Sequence, residues 1–153
     1  YRRMRLKHIL QQFDEIAGEY TMCLVALGRL RAELRKAPTM PGRLNINIAG
    51  IRKTVVRLES TYLIRSFALF EAALRDLWAN AFLRKTEPPA RVLIDALAGA
   101  LKFMPPNLTD RAHEVREFRN AIVHLNVAVP ATYTFAQATH HLKAYLSHMP
   151  REW

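Results

Sequence analysis

Three side chains in the C-terminal third of the sequence have the types and the spacing to act together on a phosphate group. Arg119, Asn120 and His124 lie within one run of six residues. A forked guanidinium can hold phosphate oxygens, and an imidazole can accept or donate a proton near neutral pH. Asn120 and His124 are four residues apart, so on a helix the amide could neighbour the imidazole and fix its tautomer.

A helix must position these residues, because apolar side chains recur around them at three- and four-residue steps. The apolar stripe predicted to face the core consists of Val115, Phe118, Ile122 and Leu125. The polar arc predicted to face away from it spans about 140° and consists of Arg116, Arg119, Asn120, Val123 and His124. Val123 is an apolar residue at the centre of this arc, so we expect a symmetric homodimer to cover it.

The string Arg119-Asn120-Ala121-Ile122-Val123-His124 resembles the R-(polar)-x(3)-H motif of the HEPN superfamily. The same spacing from arginine to histidine recurs at Arg3 and His8, but there Met4, which is not polar, follows the arginine. A second stretch, from Ser66 to Arg75, resembles the long second helix of HEPN domains. The chain is therefore similar to HEPN proteins in two separate places.

HEPN domains are helical, and the superfamily includes metal-independent ribonucleases of toxin–antitoxin, anti-phage and CRISPR-associated systems. The resemblance implies an all-α HEPN-like bundle and a homodimer that cleaves RNA in a shared cleft, without a cofactor or a metal. Arg119, Asn120 and His124 would be catalytic, Arg116 would contact the RNA backbone, and Glu71 is a further RNA-binding candidate. An antitoxin or a larger defence-system protein would be its partner.

The superfamily also contains non-catalytic members, so a module that binds RNA, a nucleotide or a protein is the alternative. The presence of both Arg119 and His124 favours the catalytic class, because a degraded site would often have lost one of them. Without the resemblance, the arc would be interpreted as a solvated polar face with an incidental histidine. Some toxin members carry a tyrosine two residues after the motif histidine, but here that residue is Asn126, which puts regulation at that position in doubt.

Composition favours one basic helical domain over residues 1–153. The chain has 23 Lys and Arg against 13 Asp and Glu, a net charge of +10, which favours a polyanionic partner such as RNA. A basic surface that serves solubility is the other interpretation.

The single cysteine, Cys23, cannot form an internal disulfide, and the sequence has no membrane-length apolar run and no recognisable signal peptide. We therefore expect a cytoplasmic protein with no membrane partner.

The apolar periodicity predicts two long antiparallel helices and three shorter ones. Their expected bounds are residues 2–36, 51–85, 90–104, 107–125 and 134–148. Asn107 with Asp110 is predicted to cap the fourth helix, and Thr134 to cap the fifth. Between these two helices, Val127, Val129 and Tyr133 are expected to form an extended tether.

Other polar residues have simpler predicted roles. Glu71 and Arg75 are four residues apart and should pair across one helical turn. His113 and Glu117 have the spacing of metal ligands, but no third ligand accompanies them, so no metal site is predicted. The basic cluster that runs from Arg2 to Lys7 is a candidate nucleic-acid contact. A second basic cluster, from Arg29 to Lys36, is expected to complement the dipole of the first helix.

Overall fold

The computed structural model describes residues 5–37, 46–101, 103–124 and 132–153. Its helices are α1 (Leu6–Lys36), α2 (Ile48–Asn80), α3 (Ala90–Ala100), α4 (Pro106–His124) and α5 (Phe135–Leu146). The described ranges contain no strand, and an isolated bridge joins Arg5 to Glu152 near the two chain ends. The prediction of an all-α bundle with two long and three shorter helices is therefore confirmed.

The two long helices lie antiparallel, as predicted. Glu19 of α1 pairs with Arg65 of α2, and the Cys23 sulfur lies 3.7 Å from the Tyr62 hydroxyl. Each step forward along α1 thus meets an earlier residue of α2. The paired guanidinium lowers the pKa of the Glu19 carboxyl, chiefly through the hydrogen bonds that Arg65 donates.

The core forms around the C-terminal half of α2. At three- and four-residue steps this helix buries Phe67, Phe70, Leu74 and Leu77, each no more than 1% exposed. The Phe70 ring meets the Tyr145 ring of α5 edge-on, with 5.4 Å between the centroids. The Tyr145 hydroxyl donates a hydrogen bond to the Ile94 carbonyl of α3 at 2.7 Å. Burying each of these side chains stabilises the fold by about 1.5–3 kcal/mol.

Both predicted ends of α2 are wrong, each for a local reason. The helix begins at Ile48 rather than at residue 51 because the Asn47 side chain caps it and accepts a hydrogen bond from the Gly50 amide at 2.7 Å. It ends at Asn80 rather than at residue 85. There Leu83 takes a left-handed backbone conformation with φ of 52°, which an α-helix cannot contain.

The residues at the N-terminal ends of α4 and α5 also determine where these helices begin. α4 begins at Pro106, the position in a first turn that proline favours, so the predicted capping role of Asn107 with Asp110 is wrong. The Thr134 cap is confirmed, and Gln137 completes a capping box with it. α3 and α5 end earlier than predicted, at residues 100 and 146. The predicted tether residues Val127 and Val129 and the N-terminal cluster before Arg5 lie outside the described residues.

Tyr145 offers a test of this core. Replacement of Tyr145 by Phe removes the hydrogen bond to Ile94 and is expected to lower the free energy of unfolding by about 1 kcal/mol. Replacement by Ala also opens a cavity and should cost about 3–5 kcal/mol. Urea unfolding followed by circular dichroism measures both. Tyr20→Phe is the control, because the half-buried Tyr20 hydroxyl has no hydrogen-bond partner among the described residues. Equal losses for the two Tyr→Phe variants would contradict the assigned role of the Tyr145 hydroxyl.

Candidate functional site

The residues singled out from the sequence lie at the C-terminal end of α4. His124 is the last residue of this helix, and Arg119 lies five residues before it. Val115 is fully buried, and Phe118 and Ile122 pack against the core, as the apolar stripe predicted. The fourth member of the stripe, residue 125, lies outside the described residues.

Arg119 lies in the contact between α4 and α2. The guanidinium carbon lies 5.5 Å from the centre of the Phe67 ring, a distance at which a cation and an aromatic face attract. One terminal nitrogen donates a hydrogen bond to the Asn120 side-chain oxygen at 2.9 Å. The Nε atom is buried and has no partner among the described residues. The prediction that the polar arc faces away from the core does not hold at Arg119, which lies only about 40° from Val115 around the helix.

Asn120 and His124 are not joined by a hydrogen bond in this structure. The Asn120 side-chain oxygen accepts its hydrogen bond from Arg119, and the His124 side chain is exposed at the end of the helix. Five residues of helix separate Arg119 from His124 by about 7.5 Å along the axis and about 140° around it. The two side chains of one copy therefore leave the helix in different directions.

Two other members of the arc differ in how far they are covered. The Val123 side chain is 44% exposed, which leaves an apolar surface between Arg119 and His124. The Arg116 side chain is only 18% exposed, and it lies 3.1 Å from the Glu117 carboxylate. Its Nε atom is buried without a partner among the described residues. Arg116 is therefore less open to a phosphate than the helical projection predicted.

Glu71 lies on α2, one turn beyond Phe67. Its carboxylate lies 2.6 Å from a terminal nitrogen of Arg75, which confirms the predicted pair. The other terminal nitrogen of Arg75 donates to the Pro88 carbonyl at 3.1 Å and so links α2 to the segment before α3. The hydrogen bonds found at Glu71 thus go to Arg75 and not to the motif residues of α4.

The structure also contains a polar cluster that the sequence analysis missed, between α4 and α5. Glu114 accepts hydrogen bonds from Tyr133 and, at 2.7 Å, from Arg111. The Tyr133 ring meets the His141 ring edge-on at 5.4 Å between centroids. The three-residue spacing of Arg111 and Glu114 on a helix was the available signal. Through these contacts, Tyr133, just before α5, is held against α4, the helix that contains the motif.

The cluster shifts two ionisation equilibria. The hydrogen bond from Tyr133 lowers the pKa of the Glu114 carboxyl, and burial opposes that shift. Burial lowers the pKa of His141, and the nearby Arg111 and His140 add to this effect, while Glu114 opposes it. Both shifts favour the state that has lost its proton, which is the carboxylate at Glu114 and the neutral imidazole at His141.

Neither a cluster of metal ligands nor a membrane-spanning helix is found in the described part of the chain. His113 does not act with Glu117, since its Nε2 atom lies 2.6 Å from the Asp95 carboxylate of α3. No three His, Cys, Asp or Glu side chains among the described residues come together as a metal site would require. No helix in these ranges is both long enough and apolar enough to cross a membrane.

No family model, curated protein or solved structure matches this chain. The resemblance to the HEPN superfamily therefore depends on the two sequence stretches that suggested it, the motif in α4 and residues 66–75 in α2. The geometry at the end of α4 is the structural basis on which a function can be proposed.

The lowered pKa of His141 predicts a loss of stability in mild acid. The unfolded chain binds this proton more tightly, so the stabilisation is complete above the ordinary imidazole pKa of about 6.5 and declines as the pH falls through that value. Thermal melts between about pH 7.5 and 5.5 should show a smaller loss of stability for His141→Gln than for wild type. His8→Gln, on the exposed side of α1, is the control. Parallel profiles for wild type and His141→Gln would refute this.

Proposed function

We propose that this protein is a HEPN-like, metal-independent endoribonuclease that acts as a homodimer. The observation that carries the proposal is that Arg119 is held by Asn120 and by the Phe67 ring, on the same helix that ends with the exposed His124. An arginine that is already oriented can meet developing negative charge without reorganising. The net charge of +10 supports a polyanionic substrate.

In the proposed reaction the RNA supplies its own nucleophile. The ribose 2′-hydroxyl attacks the adjacent phosphorus while His124 removes the hydroxyl proton. The bond from phosphorus to the 5′-oxygen breaks, and that oxygen takes a proton from the second copy of His124. The products are a 2′,3′-cyclic phosphate and a 5′-hydroxyl. DNA is not cut, because it lacks the 2′-hydroxyl.

Each site residue has a separate role in this reaction. Arg119 stabilises the charge on the phosphoryl oxygens, and removing such a donor costs about 10²–10³ in rate. Asn120 keeps Arg119 in place through the hydrogen bond between them. Arg116 contributes positive charge along the RNA backbone. Glu71 acts at most indirectly, through α2 and its pair with Arg75.

The dimer brings two copies of Arg119 and His124 to one cleft. It is supported by the exposed Val123 surface and by the wide angle between Arg119 and His124 within one copy. In the cell we propose a cytoplasmic role in a toxin–antitoxin or anti-phage system, with an antitoxin or a larger defence protein as the controlling partner.

One observation favours the alternative, a HEPN-like module that binds RNA, a nucleotide or a protein without cleaving it. The Asn120 side chain is bonded to Arg119, so nothing in this copy orients the His124 imidazole through Asn120. A binding module needs the arginine but not an oriented base. RNA binding without cleavage in both the wild type and the His124→Ala variant would favour this alternative.

Cleavage of total RNA in EDTA tests the reaction. We expect wild-type protein to release fragments with 2′,3′-cyclic phosphate ends. His124→Ala and Arg119→Ala should each lower the rate by at least about 10²-fold. Arg119→Lys keeps the charge but loses the fork, so it should remain well below wild type. Because Arg119 packs on Phe67, thermal melts must accompany the rates. Undiminished cleavage in both alanine variants, a strict need for divalent metal, or 3′-hydroxyl products would each contradict the mechanism.

The dimer has its own test at Val123. Val123→Asp places a charge in the expected interface and should give a monomer in light scattering at micromolar concentration, with cleavage reduced at least about 10-fold. Val92→Asp on α3 is the matched control, because Val92 is 46% exposed and Val123 is 44% exposed. The control should behave as wild type. A wild-type monomer that still cuts RNA would contradict the proposed dimer.

A further inference from the structure

The two long helices extend beyond the core as a two-helix projection, which we call the arm and define as residues 22–36 and 48–58. The core takes its α1 residues from Leu6 to Ile16 and its α2 residues from Leu63 to Leu77. Within the arm Leu34 and Ile51 are buried, but they are not part of that core. In the described part of the chain, each arm helix thus packs on the other.

The arm contains a large share of the positive charge. It has one acidic residue, Glu33, and seven basic residues, which gives a net charge of +6 out of +10 for the chain. The basic residues of the arm are Arg29, Arg31, Arg35, Lys36, Arg52, Lys53 and Arg57. Among these seven described side chains only Lys36 pairs with a carboxylate, that of Glu33 at 3.4 Å. Every Asp and Glu of the sequence lies within the described residues, and none of them except Glu33 forms an ion pair with a basic side chain of the arm.

Helix stability accounts for only part of this charge. Arg35 and Lys36 lie in the last turn of α1 and complement the negative end of its dipole. Arg52 and Lys53 lie near the positive end of α2, whose first turn has no acidic residue. Like charges on neighbouring positions destabilise helices, so the arm is less stable than its apolar contacts alone would make it. An anionic ligand would remove this repulsion.

A groove of about 360 Å³ lies between the two arm helices. Arg31 and Arg52 line it from opposite helices, and Leu27, Ile51 and Val55 contribute an apolar surface. The Nε atom of Arg31 is buried and has no partner among the described residues. The surface of the groove is thus mainly apolar and could contact sugars and bases, while phosphates would meet the arginines and lysines around it.

We propose that the arm binds a strand of RNA through its phosphates and so holds the substrate at a distance from the cleavage site. The choice of RNA and the link to cleavage rest on the proposed function. Fifteen residues of α2 separate Arg52 from Phe67, on which Arg119 lies, a distance of about 22 Å. A strand bound at the end of α4 can thus continue onto the arm.

The distribution of charge favours RNA over a protein partner. Arg29 and Arg31 point in directions about 160° apart around α1. A helix docked in the groove would meet only one of these sides, whereas a flexible polyanion can contact both. A second copy of the arm is disfavoured, because two surfaces of net charge +6 repel each other.

The test compares two triple variants that lose the same charge, both in a His124→Ala background that leaves RNA intact. The arm variant is Arg35→Gln, Arg52→Gln and Arg57→Gln. The control variant is Lys85→Gln, Arg91→Gln and Arg151→Gln, exposed residues outside the arm. Fluorescence anisotropy with a labelled single-stranded RNA is recorded over a range of salt concentrations. The arm variant should bind about 10- to 100-fold more weakly, with a salt slope smaller by about 2, and the control should change much less.

Thermal melts keep the result interpretable. The arm variant should melt at or above the temperature of the control, because repulsion within the arm is relieved. A third variant, Arg35→Lys, Arg52→Lys and Arg57→Lys, keeps the charge and should retain most of the affinity. Weak binding by this variant, with its melt unchanged, would overturn electrostatic holding by the arm.

The remaining outcomes distinguish failure of the arm proposal from failure of the proposed nuclease activity. Equal losses in the arm and control variants would overturn the proposal, because net charge alone would then hold the RNA. Unchanged RNA binding in the arm variant would also overturn it and leave the arm as a surface for an acidic protein. If RNA binding depends on the arm but the wild type cuts nothing, the proposed nuclease fails and the arm proposal stands.

Discussion

Burial of the apolar face of α2 is the constraint on which the rest of the structure depends. Phe67, Phe70, Leu74 and Leu77 are removed from water only when neighbouring helices cover them from several sides. Tyr145 of α5 packs on Phe70 and ties to α3 through the Ile94 carbonyl. The Phe67 ring also carries the guanidinium of Arg119. The candidate site is thus attached to the hydrophobic core through the contact of Arg119 with Phe67 and through the apolar side of α4, where Val115 is fully buried.

Apolar periodicity was enough to predict the helices, because each long segment repeats its core residues many times. The helix ends depend on single residues and were harder to predict. Asn47 starts α2 early through one side-chain hydrogen bond, and Pro106 occupies the first turn of α4 where Asn107 was expected to act as a cap. The Thr134 cap was predictable because the cap and the helix it serves are adjacent in sequence.

In the candidate site, too, features that depend on local geometry were predictable from the sequence, and contacts between distant segments were not. A helical projection placed Arg119, Asn120 and His124 at the end of one helix, which depends on local geometry alone. It could not show that α2 brings Phe67 beneath Arg119, because those residues are far apart in sequence. The contact between Glu114 and Tyr133 was missed for the same reason, since it depends on how α5 returns to α4. A projection treats a helix as isolated, so it predicts which residues share a side but not which neighbour covers them.

The continuity of α2 has a consequence for the geometry of the molecule as a whole. The helix runs unbroken over 33 residues, from the arm to the core. Every residue advances about 1.5 Å and turns about 100°, so backbone hydrogen bonds, and not side-chain packing, set the spacing between Arg52 and Phe67. If RNA binds at both places as proposed, α2 fixes the distance between the two contacts. Inserting one residue between Arg52 and Phe67 would lengthen that distance by only about 1.5 Å, but it would also rotate the arm by more than a quarter turn relative to α4.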